Sequence, residues 1–153
     1  MNDPVEILLV DDNPSDAELT LHVLSRHHLA DRIADSIKVV HDGAEALEFI
    51  FCTGAYADRD PHNLPKMLLL DLKLPKVDGL EVLRRAKADP RTRAIPIVVF
   101  SSSWEDRDVQ QARALGAHSY VVKPVDYAQF AEAVRAALAI ANATAKAAVP
   151  EAP

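Results

Sequence analysis

Short apolar runs recur along this chain, and each gives way at once to a polar residue. Glu6-Ile7-Leu8-Leu9-Val10 is followed by Asp11-Asp12, Met67-Leu68-Leu69-Leu70 by Asp71, Ile95-Pro96-Ile97-Val98-Val99-Phe100 by Ser101, and Ser119-Tyr120-Val121-Val122 by Lys123. A shorter run, Ile37-Lys38-Val39-Val40, leads into His41-Asp42-Gly43. The first and third lack any polar alternation, so they suit strands buried on both faces, as in the middle of a parallel sheet. No other feature of the chain narrows its possible folds so much.

Helical periodicity fills the intervals. Asn13-Pro14 provides an N-cap and a proline at the first helical position, and the helix should run to about His27 with Leu19, Thr20, Val23 and Leu24 on one face. Further helices are expected from Ala44 to about Thr53, from Leu80 to about Ala88, between Ser103 and Leu115, and from Tyr127, capped by Asp126, to about Asn142. Ser103 reads as the N-cap of the fourth, and Gly116 as its C′ residue. Cys52 falls in an apolar helical stretch and reads as a small core residue. Gly54 to Pro65 has no periodicity and reads as a long surface loop. Strands alternating with helices imply right-handed βαβ units with helices on both faces. The natural architecture is a doubly wound, five-stranded parallel sheet of flavodoxin-like order 2-1-3-4-5. One domain over residues 1–142 is expected, with an alanine-rich tail, 143–153, frayed or disordered.

Composition removes several function classes. A formal net charge of −6 argues against nucleic acid as a partner, since phosphate contacts need a basic patch. A single cysteine, Cys52, allows no internal disulfide and suits a cytoplasmic setting. No apolar run is long enough to cross a membrane, and the first residues lack the pattern of a signal peptide.

In the expected strand order, Asp11, Asp12, Asp71, Ser101 and Lys123 converge on one rim, where open α/β sheets bind ligands. Carboxylates so crowded repel one another and tolerate it when a divalent cation lies between them; oxygen donors suit Mg²⁺. A lysine on the same rim supplies a cation for a phosphoryl oxygen, and a serine hydroxyl a further donor. The chemistry favoured is attack of a carboxylate on phosphorus, giving an aspartyl phosphate. Asp71, taken as the most buried carboxylate in the middle of the sheet, is the nucleophile candidate, with Asp11 and Asp12 holding the metal.

The stretches Leu8-Leu9-Val10-Asp11-Asp12, Leu69-Leu70-Asp71-Leu72-Lys73-Leu74-Pro75 with Asp78-Gly79, Val98-Val99-Phe100-Ser101-Ser102, and Gly116-Ala117 through Tyr120 to Lys123-Pro124 resemble the receiver domain of two-component response regulators. The resemblance implies a phosphorelay protein in signal transduction, not an enzyme, with Asp71 as phosphoacceptor. It implies Mg²⁺ held directly by Asp12, Asp71 and the Lys73 backbone carbonyl, with Asp11 acting through water. Ser101 would be the switch hydroxyl, Tyr120 the switch aromatic and Lys123 the phosphate-binding cation, preceding a cis bond to Pro124. Tyr120 is expected to turn from solvent into the structure on phosphorylation. The partner implied is a sensor histidine kinase. Homodimerisation is expected through the face of the fourth helix, fifth strand and fifth helix.

Val10 to Asp16, Asp42-Gly43-Ala44-Glu45-Ala46-Leu47 and the Gly54–Pro65 loop are similar to single-domain regulators paired with phytochrome kinases. The main competing reading is a phosphatase or phosphotransferase of the haloacid-dehalogenase type, which also forms an aspartyl phosphate. That class requires an acid two residues past the nucleophile, and Lys73 stands there.

Overall fold

The computed structural model describes residues 7–25 and 37–148. His27 and His28, and with them the expected end of the first helix, lie outside the described residues, as do 149–153 of the expected tail. The elements are β1 (Ile7–Val10), α1 (Pro14–Ser25), β2 (Ile37–Val40), α2 (Gly43–Phe51), β3 (Met67–Leu70), α3 (Gly79–Ala88), β4 (Ile97–Ser101), α4 (Asp106–Ala114), β5 (Ser119–Val122) and α5 (Tyr127–Ala148). The strands form one parallel sheet of order β2-β1-β3-β4-β5, the architecture the sequence pattern predicts.

Successive strand residues point to opposite faces, and this sorts the core into two layers. Leu8, Val10, Leu68, Leu70, Ile97 and Val99 pack under α2, α3 and α4 with Ile50, Leu83 and Ala112. Ile7, Leu9, Met67, Leu69, Val98 and Phe100 pack under α1 and α5 with Leu24, Phe130 and Val134. Every residue of β1, β3 and β4 is buried, which is why those runs carry no polar alternation.

Boundaries differ from expectation where capping chemistry decides. Asp42 accepts the Glu45 N–H, so α2 starts at Gly43. It ends in a left-handed residue at Cys52 (φ 57°), which is half-buried at the C-cap rather than inside the helix. β4 starts at Ile97, because Pro96 offers no N–H to a ladder, although its carbonyl accepts from Leu68. Glu105 is the N-cap residue of α4 and makes no side-chain cap, while the Ser103 hydroxyl donates to the Asp108 carboxylate. At the other end Gly116 (φ 101°) donates to Arg113 and Ala117 to Ala112, the Schellman pattern expected of that glycine. α5 continues past Asn142 to Ala148, as its alanines favour. The Gly54–Pro65 loop holds a 3₁₀ turn at Gly54–Tyr56. Tyr56 packs edge-on to Phe49, and Arg59 lies over the same ring while donating to the Phe49 and Asn63 carbonyls.

Candidate functional site

Backbone hydrogen bonds carry the sheet ladder one residue beyond β1, β3 and β5 and so fix the rim. The Asp11 N–H donates to Val40 (3.1 Å), that of Asp71 to Val10 (3.0 Å) and that of Lys123 to Ser101 (2.8 Å). Asp11, Asp12 and Asp71 thereby meet, each offering a carboxylate oxygen within 4.8 Å of the others. At such a spacing each like-charged pair repels by about 3 kcal/mol at an effective dielectric near 20. The Lys123 ammonium answers this charge, donating to Asp11 Oδ2 (2.8 Å), Asp71 Oδ2 (2.9 Å) and Asp16 Oδ2 (3.0 Å).

The two oxygens of Asp71 differ. Oδ1 accepts the Leu72 N–H at 2.7 Å and, more weakly, that of Lys73 at 3.4 Å. Oδ2 faces the lysine. Backbone amides thus set the carboxylate's rotation, and one oxygen is left to the charged centre of the site. Burial pushes the Asp11 carboxyl up; Lys123 and the Asn13 N–H offset part of this, and the Asp71 charge adds to it. Burial works to lower the Lys123 pKa, but the Asp11 and Asp71 carboxylates outweigh it and hold the ammonium above the ordinary lysine value. Three oxygen donors with an excess of negative charge fit a small hard dication such as Mg²⁺.

Ser101 is fully buried, and its hydroxyl oxygen accepts the Ser103 N–H at 3.2 Å. Tyr120 is half-buried against the core, and its hydroxyl donates to the Ser103 carbonyl at 2.7 Å. Both therefore bear on one residue of the β4–α4 loop, beside Trp104, which is 76% exposed.

Several expectations are corrected here. Asp11 (1% exposed) is more buried than Asp71 (7%): β1, like β3, lies inside the sheet, so a place on an internal strand does not single out Asp71. Of the two buried carboxylates Asp71 is the less enclosed, as suits a nucleophile that must meet a phosphodonor. Tyr120 already lies inward, held by its hydrogen bond to the loop. There is no cis peptide among the described residues, so Lys123–Pro124 is trans and the lysine reaches the carboxylates without it.

Three contributors escaped the sequence reading. Ser103 joins the two switch residues. His41 Nδ1 lies 3.3 Å from the Asp11 carbonyl. Asp16 reaches Lys123, and its signal was present in the capping pattern. Asp16 stands at the position where an acid normally reaches back to the N-cap N–H. The Asn13 N–H, however, is taken by Asp11 Oδ1 (2.9 Å), which leaves the Asp16 carboxylate to Lys123.

The family model for the response regulator receiver domain matches residues 7–135. The probable methanogenesis regulatory protein FilR2 of Methanothrix harundinacea is 39% identical over 125 residues, covering 82% of this chain and 76% of that protein. The crystal structure of the phosphorylated cyanobacterial phytochrome response regulator RcpA superposes with a TM-score of 0.78 at 32% identity, over 88% of this chain and 91% of that one. The Mn²⁺-bound form of response regulator Rcp1 gives a TM-score of 0.75 at 31% identity, over 87% and 91%; Rcp1 is a Synechocystis protein.

Proposed function

The chain belongs to the response regulator receiver domain family, and on that premise we propose that Asp71 accepts a phosphoryl group from a sensor histidine kinase and thereby switches a protein-interaction surface. The observation that carries the assignment is the asymmetry of Asp71, with Oδ1 fixed by the Leu72 amide and Oδ2 turned to Lys123. The carboxylate attacks phosphorus, the bond from phosphorus to the donor breaks, and the bonding pair leaves with the donor. Lys123 then exchanges its bond to Asp71 for one to a phosphoryl oxygen. Mg²⁺, held by Asp12, Asp71 and the Lys73 carbonyl with Asp11 through water, would neutralise charge on the attacking and phosphoryl oxygens. The Mn²⁺-bound form of Rcp1 supports a divalent ion at this site. Treatment with acetyl phosphate and Mg²⁺ is expected to add one phosphoryl group by intact mass, with acetate released. Asp71→Asn abolishes the label; a label that persists in that variant removes the assignment.

Lys73, where the haloacid-dehalogenase class needs an acid, leaves that alternative without support, and the role of the protein is signal carriage in the cytoplasm rather than turnover of a substrate. We take the receiver domain as residues 1–142. A bacterial phytochrome as the kinase is supported by the likeness to RcpA. Self-association through the α4–β5–α5 face is supported by the exposure of Val122 (41%), Val125 (104%) and Tyr127 (53%).

Transmission follows from the site. A phosphoryl group on Asp71 carries about two negative charges in place of the carboxylate's one, and brings three acceptor oxygens. Ser101 turns its hydroxyl from the Ser103 amide to one of them, and the loop held by Tyr120 repacks. Ser101→Ala is therefore expected to keep phosphorylation and lose most of the Trp104 fluorescence change that follows it. An equal fluorescence change in both proteins would move transmission to another route.

A further inference from the structure

We infer that Asp16 is a positioning residue for phosphoryl transfer, acting through Lys123; the inference rests on the assignment of Asp71 and Lys123 made above. An ammonium has three N–H donors, and Lys123 spends them on Asp11, Asp16 and Asp71. Asp11 and Asp71 belong to the acidic trio at the rim; Asp16 does not. A dication held by the trio competes with the lysine for Asp11 and Asp71 and repels it. A phosphoryl group on Asp71 removes the charge of that carboxylate. Asp16 is the one partner that neither event takes away. It projects from the first turn of α1, fixed there by its N–H to Asn13 Oδ1 (3.1 Å), and approaches the lysine from outside the trio. Its side chain is 31% exposed against 6% for Lys123, so a change there leaves the buried centre in place. Asp16 thus keeps the ammonium within reach of the phosphoryl oxygens when its other partners are engaged.

The test combines kinetics with a direct view of the lysine. With acetyl phosphate at saturating Mg²⁺, Asp16→Asn is expected to slow phosphorylation about tenfold, the size of one charge-assisted hydrogen bond. Asp16→Glu restores part of the rate. In a Lys123→Gln background, Asp16→Asn has no further effect, because the group through which it acts is gone. ¹⁵N-resolved NMR of the Lys123 ammonium supplies a readout independent of transfer. Its hydrogen-bonded signal survives Mg²⁺ in the wild type and is lost to fast exchange in Asp16→Asn.

The same slowing in both lysine backgrounds would overturn the inference and leave Asp16 a merely structural residue. So would an ammonium signal unchanged by Asp16→Asn. A wild-type protein that takes no label at all would instead refute the assignment of Asp71, and the NMR comparison would still decide whether Asp16 holds the lysine.

Discussion

Lys123→Met should lower the stability of the metal-free protein by about 3 kcal/mol, the cost of leaving buried charge without its partner. The methionine occupies similar volume, so packing changes little. Asp11 and Asp71 are buried on the rim, and the ammonium donates to both and to Asp16. Without it, each carboxylate faces only like charge. Mg²⁺ binds the folded site and not the unfolded chain, so it should return most of the loss; a hundredfold excess over its Kd is worth about 2.7 kcal/mol.

The deficit should also depend on pH with a definite sign. The folded Asp11 pKa is raised above 3.8 by burial, and Lys123 is the main group opposing that rise. A raised folded pKa means stability that is full below the unfolded pKa and lost as pH rises through the folded one. Removing Lys123 raises it further. The variant should therefore lie close to wild type in acid and fall behind toward neutrality. Urea denaturation at acid and neutral pH, with and without Mg²⁺, measures all of this. A deficit that is constant with pH and indifferent to Mg²⁺ would mean the lysine contributes packing alone.

The fold was legible because burial on both faces leaves an unmistakable pattern: β1 and β3 contain nothing but apolar residues, so they could only be central strands. The rim residues were legible for a related reason, since the polar residue after a buried strand must emerge at its end. The sequence also placed Asn13 and Asp126 as caps, each of which accepts the expected backbone N–H. What stayed hidden depends on which of two partners a side chain chooses. Ser103 had the composition of a cap and bonds Asp108 instead. Asp16 had the position of a capping acid and bonds a lysine far along the chain. Arg59 and Tyr56 looked like loop residues, and only the proximity of the Phe49 ring makes them an anchor. Relative burial was equally hidden, since no local pattern distinguishes Asp11 from Asp71.

Gly79→Ala is expected to damage both stability and transfer. By helix propensity alone the change should help, since alanine exceeds glycine by about 1 kcal/mol within a helix. The surroundings forbid it. A Cβ at Gly79 would stand 2.2 Å from the Asp71 carbonyl oxygen and 2.6 Å from Leu72 Cα, both backbone atoms that no rotamer change can remove. The Gly79 N–H donates to the Leu72 carbonyl at 2.7 Å, so α3 cannot withdraw without breaking that bond. Overpacking of this kind costs about 3 kcal/mol or more and outweighs the propensity gain, leaving a net loss of about 2 kcal/mol.

The displaced segment includes the amide of Leu72, which holds Asp71 Oδ1. A shift of the nucleophile by about 1 Å reduces transfer on the order of a hundredfold. Gly116→Ala is the control. Its φ of +101° makes alanine strained, but the nearest atom, Lys87 Cγ at 3.3 Å, belongs to a side chain near the end of α3 rather than to backbone, and lies far from Asp71. That variant should lose about 1 kcal/mol and phosphorylate at the wild-type rate. Denaturant midpoints and acetyl phosphate kinetics on the two proteins separate a general loss of stability from a displaced nucleophile. If Gly79→Ala phosphorylates as fast as Gly116→Ala, the close contact between α3 and the Asp71 backbone does not set the geometry of the site.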